Sequence, residues 1–209
     1  MIVQATHTNL SNIAACHRKA FPTTLSSKLG EALTVKMLSW YLNSSKRFLF
    51  YLSENNECVG YCGGMISDGT QIHGSASSMI QHSFSNVVSA LIIRPWLWVH
   101  PELVSRYRLI MKNIYFKATG YNKPQAERAK LPIKPHTGLV VIGVDPQYQG
   151  RGYGTVLLQE FERITREKGI YKMMLTVMSD NFQAIKAYEK NGWTMHEVKV
   201  KSTSMVKYL

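Results

Sequence analysis

Acidic side chains are scarce in this chain. Thirteen aspartates and glutamates stand against 25 lysines and arginines in 209 residues, a formal charge of +12. Such a bias favours anionic partners: nucleic acid, coenzyme A or a nucleotide-linked acceptor. The basic residues are dispersed, with local groups at Lys123, Arg128, Lys130 and Lys134 and at Lys199 and Lys201. No recognition helix or RNA-stacking motif accompanies them, so a solvated basic surface is expected and nucleic acid is not. Cysteine is scarcer still. Cys16, Cys58 and Cys62 cannot make a disulfide framework. Cys58 and Cys62 would share a face of one strand, yet no His or Cys cluster completes a metal spacing. Buried thiols, no metal and a reducing cytoplasm are the expectation. Long apolar runs are also missing: Val87 to Val99 is broken by Arg94 and Pro95 and is too short to span a membrane. Met1 to Leu10 carries Gln4, Thr6, His7 and Asn9 and lacks the apolar core of a secretory leader. What is left is a single domain over 1–209, with a hydrophobic share of 45% that is ordinary for a globular protein.

The most informative stretch runs from Val144 to Gly154. Before it, Leu139 to Val144 reads as a buried strand. After it, Thr155 to Lys168 places Leu157, Leu158, Phe161 and Ile164 on one helical face. Between them lie Pro146 and three glycines, Gly150, Gly152 and Gly154. The first turn of a helix leaves N–H groups unpartnered and carries partial positive charge. Glycines let a ligand approach the backbone closely. A diphosphate suits both features. Taken as Gly-x-Gly-x-Gly alone, an ordinary tight turn explains the glycines as well. The spacing is neither a nucleotide-hydrolase phosphate loop nor a dinucleotide fingerprint.

The whole pattern, Val-x-Pro-x-x-Gln-Gly-Arg-Gly-x-Gly opening an amphipathic helix, resembles the acyl-CoA loop of the GNAT acetyltransferases. Asn181 to Trp193 is similar to that superfamily's second signature, Asn-x-x-Ala-x-x-x-Tyr-x-x-x-Gly-Phe/Trp. The two together cover about residues 138 to 196. The resemblance implies an α/β (α+β) GNAT fold, a mixed, mostly antiparallel twisted sheet flanked by helices.

The rest of the chain is consistent with that order. Strand Ile2 to Ala5 and helix Leu10 to Ala20 end at Phe21-Pro22. A second helix is expected over Lys28 to Leu42. Strands Arg47 to Ser53 and Glu57 to Ile66 flank a hairpin turn at Glu54-Asn55-Asn56-Glu57. A minimal GNAT would then turn directly into its fourth strand. Here roughly seventy residues, 67–137, intervene. Met79 to Ile93 and Glu102 to Phe116 read as helices and Tyr121 to His136 as a loop. The insert is either an acceptor-side lid or a pad extending the core. Val87 to Val99 is expected to be a core helix, with a membrane-surface element as the alternative on the strength of Trp96 and Trp98. Tyr171 to Val177 is the fifth strand. A helix capped by Ser179 or Asp180 follows and ends at Gly192, and Trp193 to Val200 with Ser204 to Tyr208 close the chain as an antiparallel pair.

The resemblance also assigns roles. Acetyl-CoA is the expected co-substrate, with no metal. Its diphosphate would meet the amides of Gly150, Arg151, Gly152, Tyr153, Gly154 and Thr155, flanked by the side chains of Gln149 and Arg151. The pantetheine arm would lie along Ile142 and Val144, with the Ile142 N–H donating to the thioester carbonyl. Asn181 and Tyr188 lie two turns apart on one helix face, roughly 10 Å along the axis, one towards the arm and one near the sulfur. Tyr188 is the expected general acid inside this signature, a phenol titrating near 10; seen alone, it reads as a packed helix tyrosine. Where many members carry a glutamate this chain has Gly138. His136, two residues earlier, is the candidate base, with His73 and His100 behind it and proton loss to solvent as the alternative. The expected activity is transfer of acetyl to a primary amine. Phe21 to Gly30 and the insert are similar to members associated with bacterial surface-polysaccharide synthesis, which implies an amino sugar or nucleotide amino sugar. A peptide, protein or other small amine is the second enzyme reading. A non-catalytic CoA-binding module and a nucleic-acid binder are the other classes. No membrane span is expected, and a homodimer is left open.

Overall fold

The structure, a computed structural model, describes residues 1–68, 75–104 and 134–209. Seven strands form one sheet in the order β1-β2-β3-β4-β5-β7-β6: β1 Ile2–Gln4, β2 Arg47–Glu54, β3 Glu57–Ser67, β4 His136–Val144, β5 Lys172–Met178, β6 Thr194–Val198 and β7 Ser202–Tyr208. All neighbours pair antiparallel except β4 and β5. The helices are α1 Leu10–Ala20, α2 Leu25–Leu29, α3 Glu31–Ser39, α4 Ser75–Ile93, α5 Tyr153–Glu167 and α6 Phe182–Lys190. This is the mixed, mostly antiparallel sheet with flanking helices that the sequence implied.

The apolar residues divide by face. Leu157, Leu158, Phe161 and Ile164 of α5 and Ile185 of α6 pack on Phe50, Cys62 and Leu139. On the other face Leu10, Ile13 and Ala14 of α1 and Leu38 of α3 cover Leu49, Tyr51 and Tyr61. The two faces meet the alternation of β3 and β4 only because each strand carries one extra residue. In β3, Leu52 pairs with Gly60 and Ser53 with Cys58, so Val59 is bulged. In β4, Gly63 pairs with Val141 and Gly64 with Leu139, so Val140 is bulged. A bulge resets the two-residue alternation and bends the strand. Cys58 therefore packs with the α1 core and Cys62 with the α5 core, on opposite faces and not on one as the spacing suggested. All three cysteines are buried and free.

Other expectations are corrected. The helix expected over Lys28 to Leu42 is split at Gly30, whose φ of 107° lies outside any helix. The turn Trp40–Asn43 that follows α3 is 3-10. The hairpin forms as expected, with Asn55 at φ 50° and Asn56 at φ 64°, the two left-handed positions of a type I′ turn. Helix α4 begins at Ser75, and 101–104 are helical; the rest of the expected Glu102 to Phe116 helix and most of the Tyr121 to His136 loop, like His73, fall outside the described residues. The Val87 to Val99 stretch is α-helical only to Ile93 and 3-10 from Pro95, and only one side of it is core, where Val87, Ala90 and Leu91 pack with Leu29, Leu33 and Leu97. Leu97 is buried, but Ile92, Ile93, Trp96, Trp98 and Val99 are exposed. The described part of the insert sits on α2 and α3: Arg94 Nη1 donates to the Leu29 carbonyl at 2.9 Å, and the Glu102 carboxylate accepts from the Leu25 amide at 3.0 Å.

Gly64 shows how tight the core is. A Cβ there would lie 2.5 Å from Phe161 Cε2 and 2.6 Å from Phe48 Cζ. Gly64→Ala should destabilise the fold by about 1–3 kcal/mol, read as a lower urea midpoint with an unchanged slope.

Candidate active site

Helix α5 starts as the spacing predicted, but the way its loop is tied down was not visible in the sequence. Asp145 is buried. One carboxylate oxygen accepts from the Gln147 amide at 3.0 Å and the other from Lys19 Nζ at 2.9 Å, while the Asp145 amide donates to the Val59 carbonyl. The loop is thus pinned to α1 and to the bulged residue of β3. The Asp145 carboxylate in turn raises the pKa of the Lys19 ammonium. Tyr153 OH donates to Glu54 at 2.6 Å, and Arg151 lies 5.0 Å over the Tyr148 ring.

Gly152 is the N-cap of α5, left-handed at φ 83°, and gives no side-chain cap; the first turn has no acidic residue. The amides that open α5 therefore have no side-chain cap. A Cβ added at Gly150, Gly152 or Gly154 would meet nothing within 4 Å. For Gly150 and Gly152 the positive φ is reason enough. Gly154 has neither a positive φ nor a neighbour to avoid, so nothing in the protein itself asks for glycine inside this helix.

Beside the loop the sheet parts. β4 and β5 pair only at Thr137–Met173, Gly138–Met174 and Leu139–Leu175. Beyond that, β4 continues to Val144 on β3, and β5 continues to Met178 on β7. The divergence starts at the Val140 bulge. From 140 to 144 the side of β4 turned towards β5 has no strand partner. Ile142 and Val144 border this gap and pack with the α5 core. The Val144 carbonyl accepts from the Gln149 side chain at 3.2 Å.

Tyr188 lies on α6, half-buried against the same core and 6.1 Å from the Trp193 ring. Burial, with Cys62 nearby, pushes its phenol well above the ordinary value, so it stays protonated. Its hydroxyl has no hydrogen-bond partner among the described residues. Asn181 caps α6, its Oδ1 accepting from the Ala184 amide at 3.1 Å; neither Ser179 nor Asp180 does so, because Ser179 Oγ donates to the Lys199 carbonyl. Ile142, Val144, Tyr148 and Tyr153 of the loop, and Tyr188 all pack against the one core cluster. His136 does not join them. It opens β4 opposite Ser67, its Nδ1 3.1 Å from the Lys134 carbonyl oxygen, and stands six residues before Ile142, roughly 20 Å along the strand. His100 faces the Thr23 carbonyl at 3.0 Å, on the α2 side.

A further histidine, His17, is not marked by either signature. His17 continues the Leu10, Ile13, Ala14 face of α1 at helical spacing, which is the signal that could have found it. Its Nδ1 meets Tyr61 OH at 2.5 Å and its Nε2 meets Ser26 Oγ at 3.0 Å. With Tyr41, Thr34, Met37, Met79 and Val141 it lines a cavity of about 40 Å³. A larger cavity of about 250 Å³, between Leu29–Leu33 and Asn86–Arg94, includes no residue of the sheet or of the loop and is set aside on that ground. Among the described residues no group of three His, Cys, Asp or Glu could hold a metal, and no helix is long and apolar enough to cross a membrane.

The fold is similar to that of known proteins. The acetyltransferase (GNAT) family matches residues 118–193. The whole chain superposes on the ribosomal-protein-S18-alanine N-acetyltransferase from Escherichia coli, covering 92% of it, with a TM-score of 0.57 and 14% identity. It likewise covers 98% of a Paia N-acetyltransferase from Thermoplasma acidophilum solved with coenzyme A, with a TM-score of 0.59 and 13% identity. The fold is therefore that of the GNAT acetyltransferases. Among curated proteins, a mycothiol acetyltransferase of Amycolatopsis mediterranei is 40% identical over 60 residues, which is 29% of this chain and 20% of that protein. The chain spans about a fifth of the length of such relatives.

Burial holds the His17 ring neutral, with its pKa down to about 4 from 6.5. The unfolded chain therefore binds a proton here between pH 6.5 and 4 that the folded chain refuses. Stability is full above 6.5 and falls as the pH drops through that window, by about 3 kcal/mol at the limit. Urea titrations from pH 7 to 4 should show this slope, and His17→Gln should flatten it.

Proposed function

We propose that this protein is an acetyl-CoA-dependent N-acetyltransferase acting on a primary amine. The observation that carries the reading is the parting of β4 from β5 beside an uncapped, glycine-opened helix. Backbone groups at the centre of a sheet are normally paired. Here they border a gap that leads to a helix N-terminus suited to a diphosphate.

The roles follow from position. Amides from Gly150 to Thr155 bind the diphosphate, with Arg151 adding charge and Gln149 and Asn181 flanking the arm. The exposed side of β4 at Ile142 and Val144 takes the pantetheine amides, and the Gln149 side chain shares or yields the Val144 carbonyl. The Ile142 N–H polarises the thioester carbonyl. The amine nitrogen attacks that carbon, the C–S bond breaks, and Tyr188 gives its proton to the departing thiolate. A phenol kept protonated by burial suits a donor. With His136 remote along β4, we assign no side-chain base: the acceptor enters as the free amine, its proton left to solvent.

Two variants test the reading. Gly154→Ala should stabilise the ligand-free protein by about 0.5–1 kcal/mol, as alanine does inside a helix. The same change should weaken acetyl-CoA binding at least tenfold by calorimetry, because the added methyl stands where a diphosphate needs bare backbone. Unchanged affinity would remove the loop from the site. Tyr188→Phe should lower turnover by 10²–10⁴ in a free-thiol assay and leave acetyl-CoA affinity within a few-fold. Equal residual turnover would remove the acid assignment.

A further inference from the structure

We infer that the acceptor's amine end is received by the cavity under the β4 bulge, and that this cavity selects an amine carried on a short apolar group over a hydroxyl-rich amino sugar. The inference rests on the acetyltransferase reading and deepens it.

Location comes first. The bulge turns both Val140 and Val141 towards the α1 and α3 face, while Ile142, the next residue, packs with the α5 core. Val141 is a wall of the cavity. The cavity and the proposed thioester contact therefore sit on consecutive residues, about 3.3 Å apart along the strand, on the stretch of β4 that β5 has left. Val141 and Ile142 turn to opposite faces of the sheet, so the amine would reach the acetyl carbonyl through the gap that β5 leaves beside β4.

Chemistry comes second. Of the side chains forming the wall, Met37, Met79 and Val141 are apolar. The Thr34 hydroxyl gives its one proton to the carbonyls of Ser26 and Gly30, at 3.2 and 3.1 Å. Both His17 nitrogens are engaged by Tyr61 and Ser26. Tyr41 is different. It is 1% exposed, and its buried hydroxyl has no hydrogen-bond partner among the described residues. Its ring tip lies over β3 where a Gly63 side chain would be, Cζ standing 2.8 Å from the Cβ position, and Gly63 is the residue paired with Val141. An unpartnered phenol is thus held at the strand pair that floors the cavity. Burial raises its pKa well above the ordinary value, so it stays neutral and can accept an amine N–H or donate to the nitrogen lone pair.

The ligand class follows. About 40 Å³ admits a nitrogen and its first carbon or two. Among the described residues it offers one free donor, the Tyr41 phenol, and no charge. A neutral alkyl amine satisfies that inventory. An amino sugar would bury hydroxyls beside methionines with nothing to pair them. This departs from the amino-sugar expectation, which rested on the Phe21 to Gly30 stretch and the insert.

The test is an acceptor panel read by free-thiol release, with acetyl-CoA affinity measured separately by calorimetry. The panel sets n-butylamine and the α-amines of short peptides beginning with alanine or methionine against glucosamine and a UDP-linked amino sugar. Apolar amines should lead by at least roughly 100-fold in kcat/KM. The limiting ionisation of kcat/KM should follow the pKa of each acceptor. Tyr41→Phe should cost about tenfold in acceptor kcat/KM with acetyl-CoA affinity unchanged. Preference for an amino sugar, or Tyr41→Phe acting equally on every acceptor including the poorest, would overturn the inference and leave the acetyltransferase reading intact. Acetyl-CoA bound with no amine turned over would overturn both. If Tyr41→Phe is poorly folded, Met37→Phe supplies the same decision by filling the cavity: it should exclude butylamine more than ethylamine, and no size dependence counts against the cavity.

Discussion

The structure depends on one unusual constraint. A strand in the middle of the sheet is fully paired on one side and only one-third paired on the other. β4 keeps β3 for its whole length and loses β5 after Leu139. Leaving backbone donors and acceptors unpaired inside a fold is costly. The arrangement persists because both strands have better partners elsewhere: β5 is held by β7 through Met178, and β4 is bent by the Val140 bulge. The loop pinned by Asp145 then brings the head of α5 to the open end of the gap. Asp145 is tied at once to Lys19 and to the Val59 carbonyl, so both bulges and α1 bear on where the amides point.

The same bulge divides the labour between the two faces. On the α5 face lie Ile142, Val144, the loop and Tyr188, all close to Cys62 and the main core. On the α1 face lie Val141, Tyr41 and His17. One strand residue separates them. On the proposed function, each of two substrates would approach the same peptide unit from its own side without displacing the other. The described insert reinforces that partition. It is tied to α2 through Arg94 and Glu102 and contributes Met79 to the cavity beside Tyr41.

Much of this was legible in the sequence where the signal is local. The Val144 to Gly154 loop, the α5 face and the Asn181 to Trp193 helix lie within short windows whose spacing determines their geometry. Gly30 was legible and misread: an isolated glycine in an apolar helical pattern reads as tolerated, and here its positive φ splits the helix. The bulges at Val59 and Val140 were not legible. An extra residue in a strand leaves no mark in composition, yet it put Cys58 and Cys62 on opposite faces and made Val140 and Val141 neighbours on one. Tyr41 and Gly63 were invisible for another reason. Their meaning is a contact between a 3-10 turn and a strand more than twenty residues away, and neither residue is distinctive by itself.

The glycines of β3 illustrate how such a contact shapes function. Gly63 and Gly64 are adjacent and face opposite ways, and each is replaced in space by an aromatic ring: Tyr41 on the α3 side, Phe161 and Phe48 on the other. Glycine within a strand is unfavourable by itself. On the Phe161 side the loss is offset by apolar packing in the core, and stability alone accounts for it. On the Tyr41 side the ring brings a hydroxyl into the interior and leaves it without a partner among the described residues. A phenylalanine at 41 would fill the same space and bury no unpaired oxygen. The phenol is thus a stability cost that packing does not explain, and a ligand amine at the β4 bulge is the partner that would.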